Sequence, residues 1–119
     1  MKILGIGVDV VKNKRIKVLI NSKFFLKRTF GLKELKFSKK FSNKTNYFAK
    51  RFAAKEALAK SLGTGFRNNL NFRDIQILND KIGKPYYFKS KKIDNIVNKR
   101  FKIKNYNLFL SISDEKDYS

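Results

Sequence analysis

Apolar positions follow a helical period in some stretches of this chain and alternate in others. From Asn43 to Gly65, NKTNYFAKRFAAKEALAKSLGTG, strong helix formers run without Pro or interior Gly, which predicts the longest helix. Asn43 is a good N-cap after Phe41-Ser42, and Gly63 supplies the left-handed residue that ends a helix. Phe48 and Phe52 stand one turn apart, while Ala53, Ala54, Ala57 and Ala59 make a small side that predicts close packing against a sheet. Residues 2–11, KILGIGVDVV, predict a buried strand rich in β-branched residues. Gly5 and Gly7 are unusual there and predict close approach by another backbone or a ligand.

Lys12 to Asn21 predicts a short basic helix. Residues 22–42 predict two helical pieces joined near Gly31. Phe24, Phe25, Phe30, Leu32, Leu35 and Phe37 are expected to face inward, with Lys23, Lys27, Arg28, Lys33 and Lys36 toward water. Beyond the long helix, Gly63-Thr64-Gly65 and Asn68-Asn69 predict a loop, and Phe72 to Leu78 alternates as a strand. Residues 79–83 carry turn chemistry and Lys84 to Phe88 returns as the second arm of a hairpin. Lys91 to Lys102 predicts a helix with Ile93, Ile96, Val97 and Phe101 as its stripe, and Asn107 to Ser113 a last strand. With no linker, repeat or low-complexity segment, residues 1–119 read as a single α+β domain.

Composition narrows the chemistry. A hydrophobic content of 42% with 12 Phe and 5 Tyr argues against disorder, even at a net charge of +20. No run approaches the ~18 apolar residues of a membrane helix. The N-terminus has Asp9 inside its apolar stretch and no small-residue cleavage site, so no signal peptide is read and the cytoplasm is the default. Without Cys there is no disulfide or thiolate zinc site; without His there is no imidazole base, ligand or Ser-His pair. Any catalysis rests on carboxylates, Lys, hydroxyls, backbone or a hard oxygen-bound metal. The charge points to anionic partners. However, 23 Lys against 6 Arg, with 12 Asn, is also the skew that an AT-rich coding bias produces.

Two carboxylates stand out among nine acidic residues. Asp9 lies between Val8 and Val10, where an isolated charge is costly, so it is expected to be paired, hydrogen-bonded, metal-bound or capping the next helix. Glu56 and Lys60 share a helix face, and the plain alternative is a solvated i,i+4 pair worth about 0.3–0.5 kcal/mol. Together with Asp9 they could hold Mg²⁺ against a phosphate, the ion taking one or two protein carboxylates and Lys60 serving as a point charge.

Gly5 to Val11, Arg15-Ile16, Phe48 to Gly65, Asn79-Asp80 with Gly83-Lys84-Pro85, and Ser111-Ile112-Ser113 resemble, in order, the holo-acyl-carrier-protein synthases. These are the small bacterial 4′-phosphopantetheinyl transferases of fatty-acid synthesis. The resemblance runs from residue 3 to residue 118, and RFAAKEALAKSLGTG is its most specific part. It implies an antiparallel sheet packed on a long central helix, assembled as a homotrimer with sites between subunits. It also implies transfer of phosphopantetheine from coenzyme A to a serine of apo acyl carrier protein, with Mg²⁺. By the same resemblance Asp9 and Glu56 would bind the metal and Lys60 would lie at the transferred phosphate. Gly63, Thr64, Gly65, Gly83, Lys84, Pro85, Ser113 and Asp114 would border the coenzyme. Arg15 and the basic residues Lys23, Lys27 and Arg28 would meet the acidic carrier, and Glu56 or a water at the ion would take the serine proton.

Three departures accompany the resemblance. Many members have Glu in place of Lys12 and His in place of Asp114, which suggests a sign-swapped pair between these two residues. Members also continue into one more apolar strand after the segment matching Lys116-Asp117-Tyr118, so this sequence is either shortened or leaves a sheet edge open. Two other readings stay open: a member that binds coenzyme A or carrier protein without turnover, and a basic nucleic-acid-binding domain. The second lacks any recognised binding motif.

Overall fold

The computed structural model of the chain describes residues 2–67 and 69–119. Five helices and one short hairpin follow in order: α1 Asn13–Leu19, α2 Lys23–Thr29, α3 Leu32–Ser38, α4 Lys44–Ser61, β1 Ile77–Asn79, β2 Pro85–Tyr87 and α5 Lys91–Phe101. The Asn43 side chain accepts from Asn46 N at 3.0 Å to cap α4, and Gly63 takes φ +78° just past its end. Ser22 and Ser90 cap α2 and α5 in the same way.

α4 runs through both halves of the core. Its N-terminal half buries Tyr47, Phe48, Ala49, Phe52 and Ala53 with Val11, Ile16, Phe25 and Phe30. Its C-terminal half buries Ala54, Leu58, Ala59 and Leu62 with Leu70, Ile75, Ile77, Tyr87, Ile93 and Val97. Between the apolar clusters lies a buried ion pair. Glu34 and Lys55 have side chains at 0% exposure and meet at 2.6 Å. Glu34 also accepts from Gly31 N and Ile77 N, and Lys55 donates to the Phe72 and Ile75 carbonyls. Every partner is hydrogen-bonded, the condition under which buried charge is tolerated. Burial nonetheless lowers the Lys55 amine to about 8, against the opposing pull of Glu34.

Several expectations are corrected. Residues 2–10 form no strand, and Ile3, Ile6, Val8 and Val10 are exposed rather than buried. Residues 107–113 likewise have no ladder partners among the described residues. The sheet therefore has two strands, with Ile77 opposite Tyr87, Leu78 opposite Tyr86 and Asn79 opposite Pro85. The alternating Phe72 to Leu78 divides into a 3-10 turn at Phe72–Asp74 and the short β1, because Asp74 caps the turn by accepting from Asn71 N at 2.8 Å. Phe24, Leu32 and Phe37 point outward, while Phe25 and Phe30 are buried. Asn68 lies outside the described residues; its neighbour Asn69 has φ +68°.

Residues 2–9 and 107–113 line one cleft of 780 Å³ together with Ala53, Ala54, Ala57 and Leu58 of α4. At one end the chain comes together: Val11 N donates to Ser119 O at 2.9 Å and Ser119 N to Val11 O at 3.0 Å. Buried Asn13 joins this end by donating to the carbonyls of Glu115 and Lys116.

Candidate active site

The site begins with two glycines. A Cβ on Gly5 would stand 1.9 Å from the Ser61 carbonyl oxygen, and one on Gly7 would stand 1.8 Å from that of Ala57. Only a residue without a side chain lets residues 5–7 lie flat on α4, so the close approach expected from the sequence is to the helix backbone. Two residues further on, the Asp9 side chain reaches the same helix. Lys60 Nζ donates to Asp9 Oδ1 at 3.0 Å and to the Val8 carbonyl at 3.0 Å. Asp9 is 16% exposed at its side chain and is held by this pair, not by capping α1, whose N-cap is Lys12.

Glu56 lies one turn before Lys60 and is half-buried. Its carboxyl is raised above the usual range first by burial and then by the negative charge of Asp9, against Lys60 and Arg15. Asp9 and Glu56 are thus close enough to repel, with two cations beside them. Arg15, on α1, lies over the Phe52 ring at 5.7 Å, and this contact directs a basic residue of the first helix toward the carboxylates. Two nearby hard-oxygen donors that disfavour each other's charge are a donor set suited to Mg²⁺, whose remaining positions take water and substrate oxygens. Among the described residues no group of three or more His, Cys, Asp or Glu gathers.

From Lys60 the surface continues into a shallow hollow lined by Gly63, Thr64, Gly65, Phe66 and Arg67. Gly63 and Gly65 take φ +78° and +59°, which a side chain would strain. Arg67 was not singled out from the sequence; its place two residues past the motif Gly-Thr-Gly, beside Lys60, was the available signal.

The other expected residues are not gathered here within one chain. Gly83 and Lys84 lie on the β1–β2 turn and Pro85 opens β2. Ser113 lines the 780 Å³ cleft. Asp114 accepts from Asn46 Nδ2 at 2.7 Å and pairs with Lys50 at 3.9 Å. The sign-swapped Lys12–Asp114 pair is therefore corrected: Asp114 is met by α4, and Lys12 forms a backbone bridge to Tyr118. Asn46 is ten residues before Glu56, about 15 Å along the helix. Lys23, Lys27 and Arg28 lie exposed on α2 beside Phe24, with the Arg28 guanidinium 5.4 Å from its ring.

The class of this α4-centred α+β fold comes from its similarity to known proteins. Residues 5–113 match the family model ACPS, the 4′-phosphopantetheinyl transferase superfamily, and the chain belongs to that superfamily. The holo-[acyl-carrier-protein] synthase of Pelagibacter ubique is 57% identical over 119 residues, spanning 100% of this chain and 93% of that protein. The crystal structure of the Neisseria meningitidis synthase superposes with a TM-score of 0.88 at 39% identity, covering 98% of this chain and 93% of that one. The Bacillus anthracis synthase, crystallised in complex with CoA (3′,5′-ADP), superposes with a TM-score of 0.78 at 32% identity, over 97% and 89% of the two chains. No helix among the described residues is long and apolar enough to cross a membrane.

Proposed function

We propose that this chain transfers 4′-phosphopantetheine from coenzyme A to a serine of apo acyl carrier protein in the cytoplasm, releasing adenosine 3′,5′-bisphosphate. The observation that supports this reading is the pair of Asp9 with Lys60 one helical turn from Glu56, whose carboxyl feels the charge of Asp9, in a chain of this superfamily. Asp9 and Glu56 are the residues to hold Mg²⁺, which would supply positive charge against the pyrophosphate. Lys60, already presenting Nζ at this point, neutralises the oxygens of the transferred phosphoryl group. The serine oxygen bonds to phosphorus as the bond from phosphorus to the adenosine bisphosphate oxygen breaks. Glu56 or a water receives the serine proton, the chain having no histidine to take it. Gly63, Thr64, Gly65 and Arg67 border the coenzyme near Lys60, and Gly83-Lys84-Pro85 with Ser113 and Asp114 border it further out.

Asp114 meets α4 at Asn46 and Lys50, ten and six residues before Glu56 and so about 15 and about 9 Å along the helix from it, which supports a site completed by a second copy. The exposed Ile3, Ile6, Val8, Val10 and Phe109 give such copies an apolar surface to bury, in keeping with a homotrimer. Arg15, Lys23, Lys27 and Arg28, with Phe24 exposed among them, suit the acidic, amphipathic surface of a carrier protein, whose approach they would accelerate at low salt.

Incubation with coenzyme A, Mg²⁺ and apo carrier protein is expected to add the phosphopantetheine mass to the carrier, and a chelator to abolish the gain. Glu56→Gln is expected to remove activity and metal dependence together; retention of both refutes the site. Coenzyme binding with no mass gain would identify a non-transferring member. Salt-sensitive binding to random DNA without turnover would favour the nucleic-acid reading.

A further inference from the structure

We infer that Asn13 is a positioning residue of the metal site: it binds the first turn of α1 to residues 115–119 and so fixes the backbone that carries Asp9. The inference rests on the reading of Asp9 and Glu56 as the ion's ligands, and adds to it a residue that touches no reacting atom.

Asn13 is the first residue of α1 and is 7% exposed. A buried amide is tolerated only where its donors and its acceptor are matched, and here each is. Nδ2 donates to the Glu115 carbonyl at 2.9 Å and to the Lys116 carbonyl at 3.1 Å, and Oδ1 accepts from Ser119 Oγ at 2.6 Å. The backbone N–H of Asn13 takes the next carbonyl in line, donating to Asp117 O at 2.8 Å. Lys12 gives α1 no side-chain cap and the first turn holds no acid, so this knot stands where local capping is missing. It continues into backbone pairing: Lys12 bridges Tyr118, and Val11 and Ser119 exchange a pair of hydrogen bonds.

Asp9 therefore lies between two fixed points of the backbone. Before it, Gly7 rests on the Ala57 carbonyl; after it, Val11 to Asn13 are bound to residues 117–119. Residues 2–10 have no ladder of their own. The other hold on this stretch is Lys60 Nζ, on Val8 O and Asp9 Oδ1, and the proposed reaction needs that amine at the phosphate. When Lys60 turns to a phosphate oxygen, the glycine contact and the knot still keep the Asp9 backbone in place. The knot also sets where α1 begins, and with it Arg15, whose charge acts together with that of Asp9 on the Glu56 carboxyl. An ion shared by Asp9 and Glu56 is bound only as well as the spacing of those two carboxylates is held.

The test is Mn²⁺ binding to the full chain with coenzyme A present, read from the electron paramagnetic resonance of the free ion. Asn13→Ala changes no charge, so a weaker site in it reports geometry. Its Kd for Mn²⁺ is expected to rise about tenfold, and that of the milder Ser119→Ala, which removes one hydrogen bond of the knot, about threefold. Ile93→Val, a buried change in the other core cluster, is expected to lower the melting temperature and leave Mn²⁺ binding within about twofold. Glu56→Gln reports separately whether the ion sits at the carboxylates. If Glu56→Gln weakens Mn²⁺ binding while folded Asn13→Ala and Ser119→Ala do not, the positioning role is overturned and the metal reading stands. If Glu56→Gln leaves binding intact, the metal reading fails and the inference falls with it. Equal weakening in Ile93→Val and Asn13→Ala at equal loss of melting temperature would reduce Asn13 to a structural contact and overturn the inference.

Discussion

Replacing Gly7 by Ala separates the geometry of the site from the stability of the fold. Gly7 is not among the glycines with positive φ, so alanine brings no backbone strain, only volume. The added Cβ would stand 1.8 Å from the Ala57 carbonyl oxygen, against the 3.4 Å at which ordinary contact begins. That atom is helix backbone and has no rotamer to escape through. Residues 5–10 must therefore lift from α4 by about 1.6 Å. Asp9 is two residues away and travels with the lift, leaving Lys60 Nζ, now at 3.0 Å. A displacement of about 1 Å at reacting groups costs on the order of 10²-fold in rate. Residues 2–10 form no ladder that the lift would break, so the stability loss should stay within the roughly 1–3 kcal/mol typical of overpacking. Transfer followed by mass spectrometry should therefore show kcat/KM down about 100-fold with a weakened Mg²⁺ response, while urea denaturation still reports a cooperative fold. A folded Gly7→Ala protein with kcat/KM within about threefold of the wild type would refute the idea that this glycine sets the position of Asp9.

Two predictions concern the buried polar groups. Lys55→Met leaves Glu34 charged at 0% exposure and should cost about 3–5 kcal/mol in urea denaturation. Removing Glu34 as well should not restore stability, because Gly31 N, Ile77 N and the Phe72 and Ile75 carbonyls then lose partners at roughly 1–3 kcal/mol each; a double variant as stable as the wild type would overturn that account. Burial pushes the Tyr47 phenol up to about 12 from 10.0 and raises that of Tyr87 as well. The folded chain keeps these protons where the unfolded chain has lost them, so stability is full below pH 10 and falls as pH rises toward 12. Lys55, lowered to about 8 from 10.5, has the opposite slope between those values, so melting temperatures are best compared from pH 10.5 upward. Tyr47→Phe should flatten the alkaline decline there, and an unchanged slope would exclude Tyr47 as a source.

Much of the site is written in local chemistry. Asn43 and Gly63 bound α4 where capping and left-handed backbone require, and i,i+4 spacing puts Glu56 and Lys60 on one face whatever the rest of the chain does. Gly5 and Gly7 announced a close approach because glycine inside an apolar extended run has few other uses. The superfamily, too, was legible from the ordered motifs. Other features depended on which distant residues meet. Apolar composition rich in β-branched residues marked 2–11 as a strand, and 107–113 read as the last one, but a strand needs a ladder partner, and local sequence cannot supply one. Nothing local marks Glu34, Lys55 and Arg51 as buried, because burial of a charge is favourable only when distant donors and acceptors converge on it. Phe24, Leu32 and Phe37 read as core because two helices of seven residues each carry more apolar side chains than one narrow face can bury. Helix ends, turns and glycine contacts follow from interactions a few residues long. The pairing of Asp9 with Lys60, the buried ions and the hold of Asn13 on residues 115–119 arise only when residues far apart in the chain are packed together around α4.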